Sequence, residues 1–225
     1  MANLPYRITA DGTLTLDDVP RPSKVAIVGA GASRVAAPLD DPTWEVWGLN
    51  NLKIRDRAGH FRGDRWFELH PYAAQSTEDL QFIEACPVPL YVLDLMPAVK
   101  NPRQIRFPFE WIKVRFPQAP FFACTFAYQI AFALVLNIHE IGLFGVDLDL
   151  GSDRERTVER TTVAYWVGVA QGMGRKITIP PTCGLLRHPY RYGYDYLEEI
   201  AYVKEWLARD SAPDEPVIWH QRRVT

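Results

Sequence analysis

Cysteine is scarce here and scattered. Cys86, Cys124 and Cys183 are odd in number, and no two stand at a CxxC or metal-ligand spacing. That excludes a disulfide framework and a zinc knuckle, and points to reduced thiols in the cytoplasm. Charge of one sign is also missing, since 25 Lys and Arg stand against 27 Asp and Glu for a net −2. Nothing in that balance calls for nucleic acid. Arg154, Arg156 and Arg160 cluster, but Glu155 and Glu159 are interleaved, as on a solvated helix face. No apolar run is clean enough to span a membrane. The best candidate, 121–146, is broken by Gln129, Asn137, His139 and Glu140, and reads as a buried helix followed by a buried strand. The opening MANLPYRITADGTL has neither the basic start nor the apolar core of a secretory signal, which again leads us to expect a cytoplasmic protein. There is no GxSxG elbow and no GxxxxGK[ST] loop, which speaks against α/β-hydrolase and P-loop kinase chemistry.

What is present suits one sizeable core: 225 residues, 48% hydrophobic and 12% aromatic. Short runs rich in Val, Ile, Leu and aromatics recur at 24–29, 45–49, 65–69, 89–93, 141–146 and 176–179, mostly without polar alternation. Strands covered on both faces read this way. Helical patterns fall between them at Thr77–Ala85, Thr125–His139 and Arg154–Gln171, with a last one at Tyr194–Arg209. The alternation predicts an α/β fold: a mostly parallel, Rossmann-like sheet with helices on both faces, in a single domain. We expect that domain to span 24–210, after an extended leader over 1–23 and before a tail over 211–225. The stretch 97–120, with five prolines and Asn101, reads as an irregular, lid-like excursion.

The first predicted strand runs into KVAIVGAGASR, so Gly29, Gly31, Ala32 and Ser33 form a candidate phosphate cradle. Glycines there let an anion approach unpartnered backbone N–H groups, and Ser33 adds a hydroxyl. Arg34 stands where a dinucleotide fingerprint continues, and the second strand ends in Asn50 and Asn51 rather than an acid. Both features weigh against an NAD(P)-dependent oxidoreductase, while the amides suit a base edge or a sugar hydroxyl. His70, after the third strand, is the candidate general base. Glu68 is expected to orient it only if a bend defeats strand alternation. Asp147 and Asp149 make a DxD that could hold a divalent metal. The plainer reading is that Asp147 binds loop N–H groups while Asp149 and Asp153 cap the next helix, so no metal is expected. Arg187, Arg191 and the tyrosines of RHPYRYGYDYLEE either grip a phosphate or base, or pack the final helix.

The order of these pieces resembles the bacterial lipooligosaccharide sialyltransferases, which use a CMP-activated sugar. GAGAS at 29–33, LNN at 49–51, ELHPY at 68–72, CTFAYQIAFAL at 124–134, GVD at 145–147 and IPPTCGLL at 179–186 carry the resemblance, over roughly residues 24–190. The pattern is also similar to Rossmann-type proteins encoded by phages. The resemblance implies nucleotide contacts from Gly31, Ala32 and Ser33, from Asn50 or Asn51, near His70 and Tyr72, and at Thr125. Two features depart from the family: 148–166 contains no His, and 97–120 contains no Tyr. The expectation is a nucleotide- or nucleotide-sugar-dependent transferase, glycosyltransferase-like, with a small CMP-type ligand and with His70 and Asp147 as catalytic residues. The alternative is a non-catalytic protein that binds or sequesters a nucleotide. Self-association into a homo-oligomer is compatible with either.

Overall fold

The computed structural model describes residues 19–118, 121–148 and 155–186. These lie in one compact unit, Met1–Leu186; the second unit, Arg187–Thr225, falls outside the described residues. So do the expected helix Tyr194–Arg209, the Arg–Tyr cluster that precedes it, most of the leader, the tail, Asp149 and Asp153.

Seven parallel strands form one sheet: β1 (Lys24–Val28), β2 (Glu45–Leu49), β3 (Arg65–Glu68), β4 (Leu90–Val92), β5 (Gln104–Arg106), β6 (Glu140–Phe144) and β7 (Lys176–Thr178). Their order is β5-β4-β3-β2-β1-β6-β7, so the chain leaves the sheet's middle in opposite directions from β1. Every strand pair is parallel. Successive side chains alternate between faces, which divides the core in two. Val25, Ile27, Trp47, Phe67, Tyr91, Ile141 and Leu143 pack with α2 (Phe109–Arg115), α3 (Thr125–Val135) and α4 (Arg160–Gly172). Ala26, Val28, Val46, Trp66, Leu90, Val92 and Phe144 pack on the other face with Ile83 and Cys86, from α1 (Thr77–Ala85) and its C-terminal end. This is the doubly covered parallel sheet that the alternating pattern predicts.

Two differences have local causes. The stretch 97–120 contains the edge strand β5 and the helix α2 rather than an irregular lid. Its prolines flank these elements: Pro102 precedes β5, and Pro108 is the residue before the first turn of α2, where a missing N–H is tolerated. The apolar helix α3 ends at Val135, short of His139, because Asn137 adopts a left-handed φ of 62°. Ile138 N–H then donates to Ala133 O at 3.0 Å and Asn137 N–H to Leu134 O at 3.1 Å, closing a Schellman motif that turns the chain into β6.

Candidate functional site

Loops at the carboxyl ends of β1, β2 and β6 converge where the strand order reverses, the place where parallel α/β sheets form a ligand crevice. A cavity of about 350 Å³ opens there. Its wall includes Ala30 and Gly31 after β1, Asn50, Asn51 and Leu52 after β2, Phe126 in the first turn of α3, Asp147 and Leu148 after β6, and Glu159. Glu159 closes a π-helical turn, Glu155–Glu159, that leads into α4. A larger concavity lies at the opposite, amino-terminal end of the strands, around Asp40, Trp44 and Asp64, where Arg62 and backbone groups already engage its acids.

The glycine turn is built differently from the cradle expected of it. Gly29 N–H donates to Phe144 O at 2.8 Å and Gly31 N–H to Gly145 O at 2.9 Å. Ser33 is 1% exposed; its N–H donates to Asp147 Oδ2 at 3.0 Å, and its hydroxyl accepts from Gly145 N–H at 2.8 Å. These three N–H donors are engaged by Phe144 at the end of β6 and by the loop after it, and the Ser33 oxygen accepts from that same loop. Ala32 is exposed, at the start of a five-residue 3-10 turn. The glycine requirement is one of packing: a Cβ on Gly31 would stand 2.0 Å from Asp147 Oδ2. Gly145, at φ 71°, is needed both for its left-handed backbone and for its approach to Gly29.

Asp147 is therefore the strut between the two loops, and it is 4% exposed. Its Oδ2 is occupied by Ser33, while its Oδ1 is buried without a hydrogen-bond partner among the described residues. Asn50 Oδ1 is in the same condition. Asn50 sits at a left-handed φ of 49°, and its carbonyl accepts from Trp66 Nε1 at 2.6 Å. Leu148, next to Asp147, is also left-handed at φ 50°, a conformation that costs a non-glycine residue energy and gathers at functional sites. Cys183 packs beside Asp147 and Ser33, and burial pushes its thiol pKa up.

His70 follows β3 at the same edge of the sheet. Its Nδ1 lies 2.7 Å from Glu68 Oε1, and its backbone N–H donates to the same oxygen at 3.2 Å. β3 ends at Glu68 and His70 lies at a bend in the loop that follows, so the pairing arises at the bend that the expectation required. Glu68 is 1% exposed, whereas the His70 side chain is 54% exposed. Glu68 raises the pKa of His70, first by this hydrogen bond and then by its charge, with Asp79 and Glu159 adding to the effect against burial. Asn51 lies beside Asp79 and helps to lower its pKa, which places the start of α1 beside the same rim. Thr125 is buried at the first position of α3, a helix end with no side-chain cap.

The sequence reading missed three contributors: Leu52 and Phe126 in the wall, and Glu159. Leu52 and Phe126 were signalled by their places beside Asn51 and Thr125; Glu159 carries no local signal, since only the fold brings it to β1 and β2. Among the described residues, no group of three or more His, Cys, Asp or Glu side chains is placed to hold a metal, and no helix is long and apolar enough to cross a membrane.

Among solved structures, the chain is similar to the sialyltransferase CstII from Campylobacter jejuni in complex with cytidine-5'-monophosphate. The identity is 13% and the TM-score 0.48, over 82% of this chain and 99% of that one. A complex of the sialyltransferase CST-II with a trisaccharide acceptor and CMP gives 13% and 0.46, over 77% and 89%. The apo form of an alpha-2,3-sialyltransferase from Campylobacter jejuni gives 12% and 0.44, over 91% and 100%. These are sialyltransferases, the class that the order of motifs resembles. No protein-family model matches the sequence, and no curated protein matches it.

Proposed function

We propose that this chain is a nucleotide-sugar-dependent transferase, glycosyltransferase-like in its reaction, with its nucleotide in the cavity at the β1–β6 divide. The observation that carries this reading is the pair of buried, unpartnered acceptors in one wall, Asp147 Oδ1 and Asn50 Oδ1. Buried acceptors are costly unless a donor reaches them. Ribose hydroxyls and an exocyclic base amine are such donors, and the mixed wall of Leu49, Leu52, Phe126 and Leu148 suits the faces of a nucleoside. The order of motifs favours a CMP-type donor. Asn51 and Thr125 flank the ligand, and Asp147 orients it. No resident metal enters the scheme. Three free cysteines fit a reducing, cytoplasmic setting.

In the reaction, His70 takes the proton of an acceptor hydroxyl. The acceptor oxygen bonds to the anomeric carbon as the carbon–oxygen bond to the nucleotide phosphate breaks, and the nucleotide leaves with that electron pair. The test is release of nucleotide from CMP-, UDP- and GDP-activated sugars with simple acceptors. We expect turnover from the CMP donor and its loss in His70→Ala with binding retained. Binding without turnover from any donor would support the sequestering alternative instead, and undiminished turnover in His70→Ala would remove the base assignment.

A further inference from the structure

The reading of His70 as a base leaves open what holds and tunes its ring, and the inference below rests on that reading. We infer that Glu68 is the positioning residue for His70. Three features of the geometry support this. Glu68 is the last residue of β3, registered against Val92 of β4, so the sheet fixes its backbone. Its carboxylate is sealed from water, and its Oε1 accepts from both the backbone N–H and Nδ1 of His70, which fixes the ring relative to the strand. A buried carboxylate facing Nδ1 selects the tautomer with its proton on Nδ1, leaving the Nε2 lone pair for the acceptor. The strand therefore sets both the direction and the basicity of the imidazole.

The charged groups that face the ring come from three elements: Glu68 on β3, Asp79 in the first turn of α1, and Glu159 at the entry to α4. All three are acids. Glu68 is the one in direct contact, and it differs from the others in being buried. Replacing it removes both the hydrogen bond and the largest source of the raised basicity, while Asp79 and Glu159 keep acting at longer range.

The test begins without any substrate. The nitrogen chemical shifts of His70 in the wild-type protein, above its pKa, should report the Nδ1–H tautomer. In E68Q, whose amide oxygen can still accept from the His70 N–H, the ring should titrate at lower pH than in the wild type. With a CMP-sugar donor, kcat of E68Q should fall at least tenfold, and by no more than the roughly 10²–10⁴ that a positioned base contributes in all, with KM little changed. The rising limb of its pH profile should move to lower pH. A residue of merely structural importance would lower stability and leave the titration of His70 where it was. An Nε2–H tautomer in the wild type, or an unshifted titration in a folded E68Q, would overturn the inference. Absence of turnover with every donor would remove the transferase reading alone, because the ring measurements need no donor.

Discussion

At the scale of single residues, Asp147 serves two purposes with one carboxylate. Oδ2 ties the β1 loop to the β6 loop through Ser33, and Oδ1, buried without a partner among the described residues, is the acceptor that the proposed function gives to the ligand. Gly31→Val should therefore act on folding before it acts on binding. The new side chain would collide with Asp147 Oδ2 and with Gly145 O, which a Cβ alone already approaches to 2.9 Å. We expect a loss of about 1–3 kcal/mol in unfolding free energy, measured by denaturant titration, as overpacking costs in a tight site. His70 gives a prediction of sign. Its folded-state pKa is raised by Glu68, so its contribution to stability is complete below its unfolded value and is lost as pH rises through the folded one. Base activity runs the opposite way and appears over the same rise in pH. A pH series of thermal unfolding beside a pH–rate profile checks both. In His70→Ala, the stability decline assigned to this residue should be absent.

Elements place these residues, and here helix ends matter more than helix bodies. The first turn of α1 is held by a capping box: Asp79 N–H donates to Ser76 Oγ at 3.2 Å, and Ser76 N–H donates to Asp79 Oδ2 at 3.0 Å. The hydrogen bonds from Ser76 lower the Asp79 pKa and keep its charge beside Asn51 and His70. Ser76→Ala should cost about 1 kcal/mol of stability in chemical denaturation, the usual price of an N-cap. A further effect belongs to the site: with Asp79 less firmly held, the pKa of His70 should fall slightly. At the other end of α3, Asn137→Ala should destabilise by about 1–2 kcal/mol, because alanine pays for the left-handed turn that begins β6, whereas Asn137→Gly should be tolerated.

For the whole molecule, the sheet was legible because strands buried on both faces must be apolar throughout, as in AIV of β1 and IGLF of β6. The edge strand β5 was not: Gln104-Ile105-Arg106 buries one side chain of three, and prolines around it look like loop. The place of the site was legible from the β1 glycine turn, but its chemistry was not. Ser33 and Asp147 are 114 residues apart, and no local pattern announces that a serine in a nucleotide-like turn is consumed by a strut. Glu68 and His70 are two residues apart, but His70 lies at a bend beyond β3, so strand periodicity alone does not announce their pairing. What sequence could not supply is the difference in burial between them, on which the proposed division into a support and a base rests.

The most direct measurement is thermal unfolding of the protein with CMP, CDP, UDP, GDP, ADP and NAD, each with and without manganese. The account predicts stabilisation selective for the cytidine nucleotides and independent of the metal. It should reach about 2.7 kcal/mol at a ligand concentration a hundred times the dissociation constant. The same shift should be strongly reduced in Asp147→Asn, which keeps the shape of the side chain but turns an acceptor into a donor. No shift with any nucleotide, or an equal shift in Asp147→Asn, would contradict the assignment of this cavity as a nucleotide site.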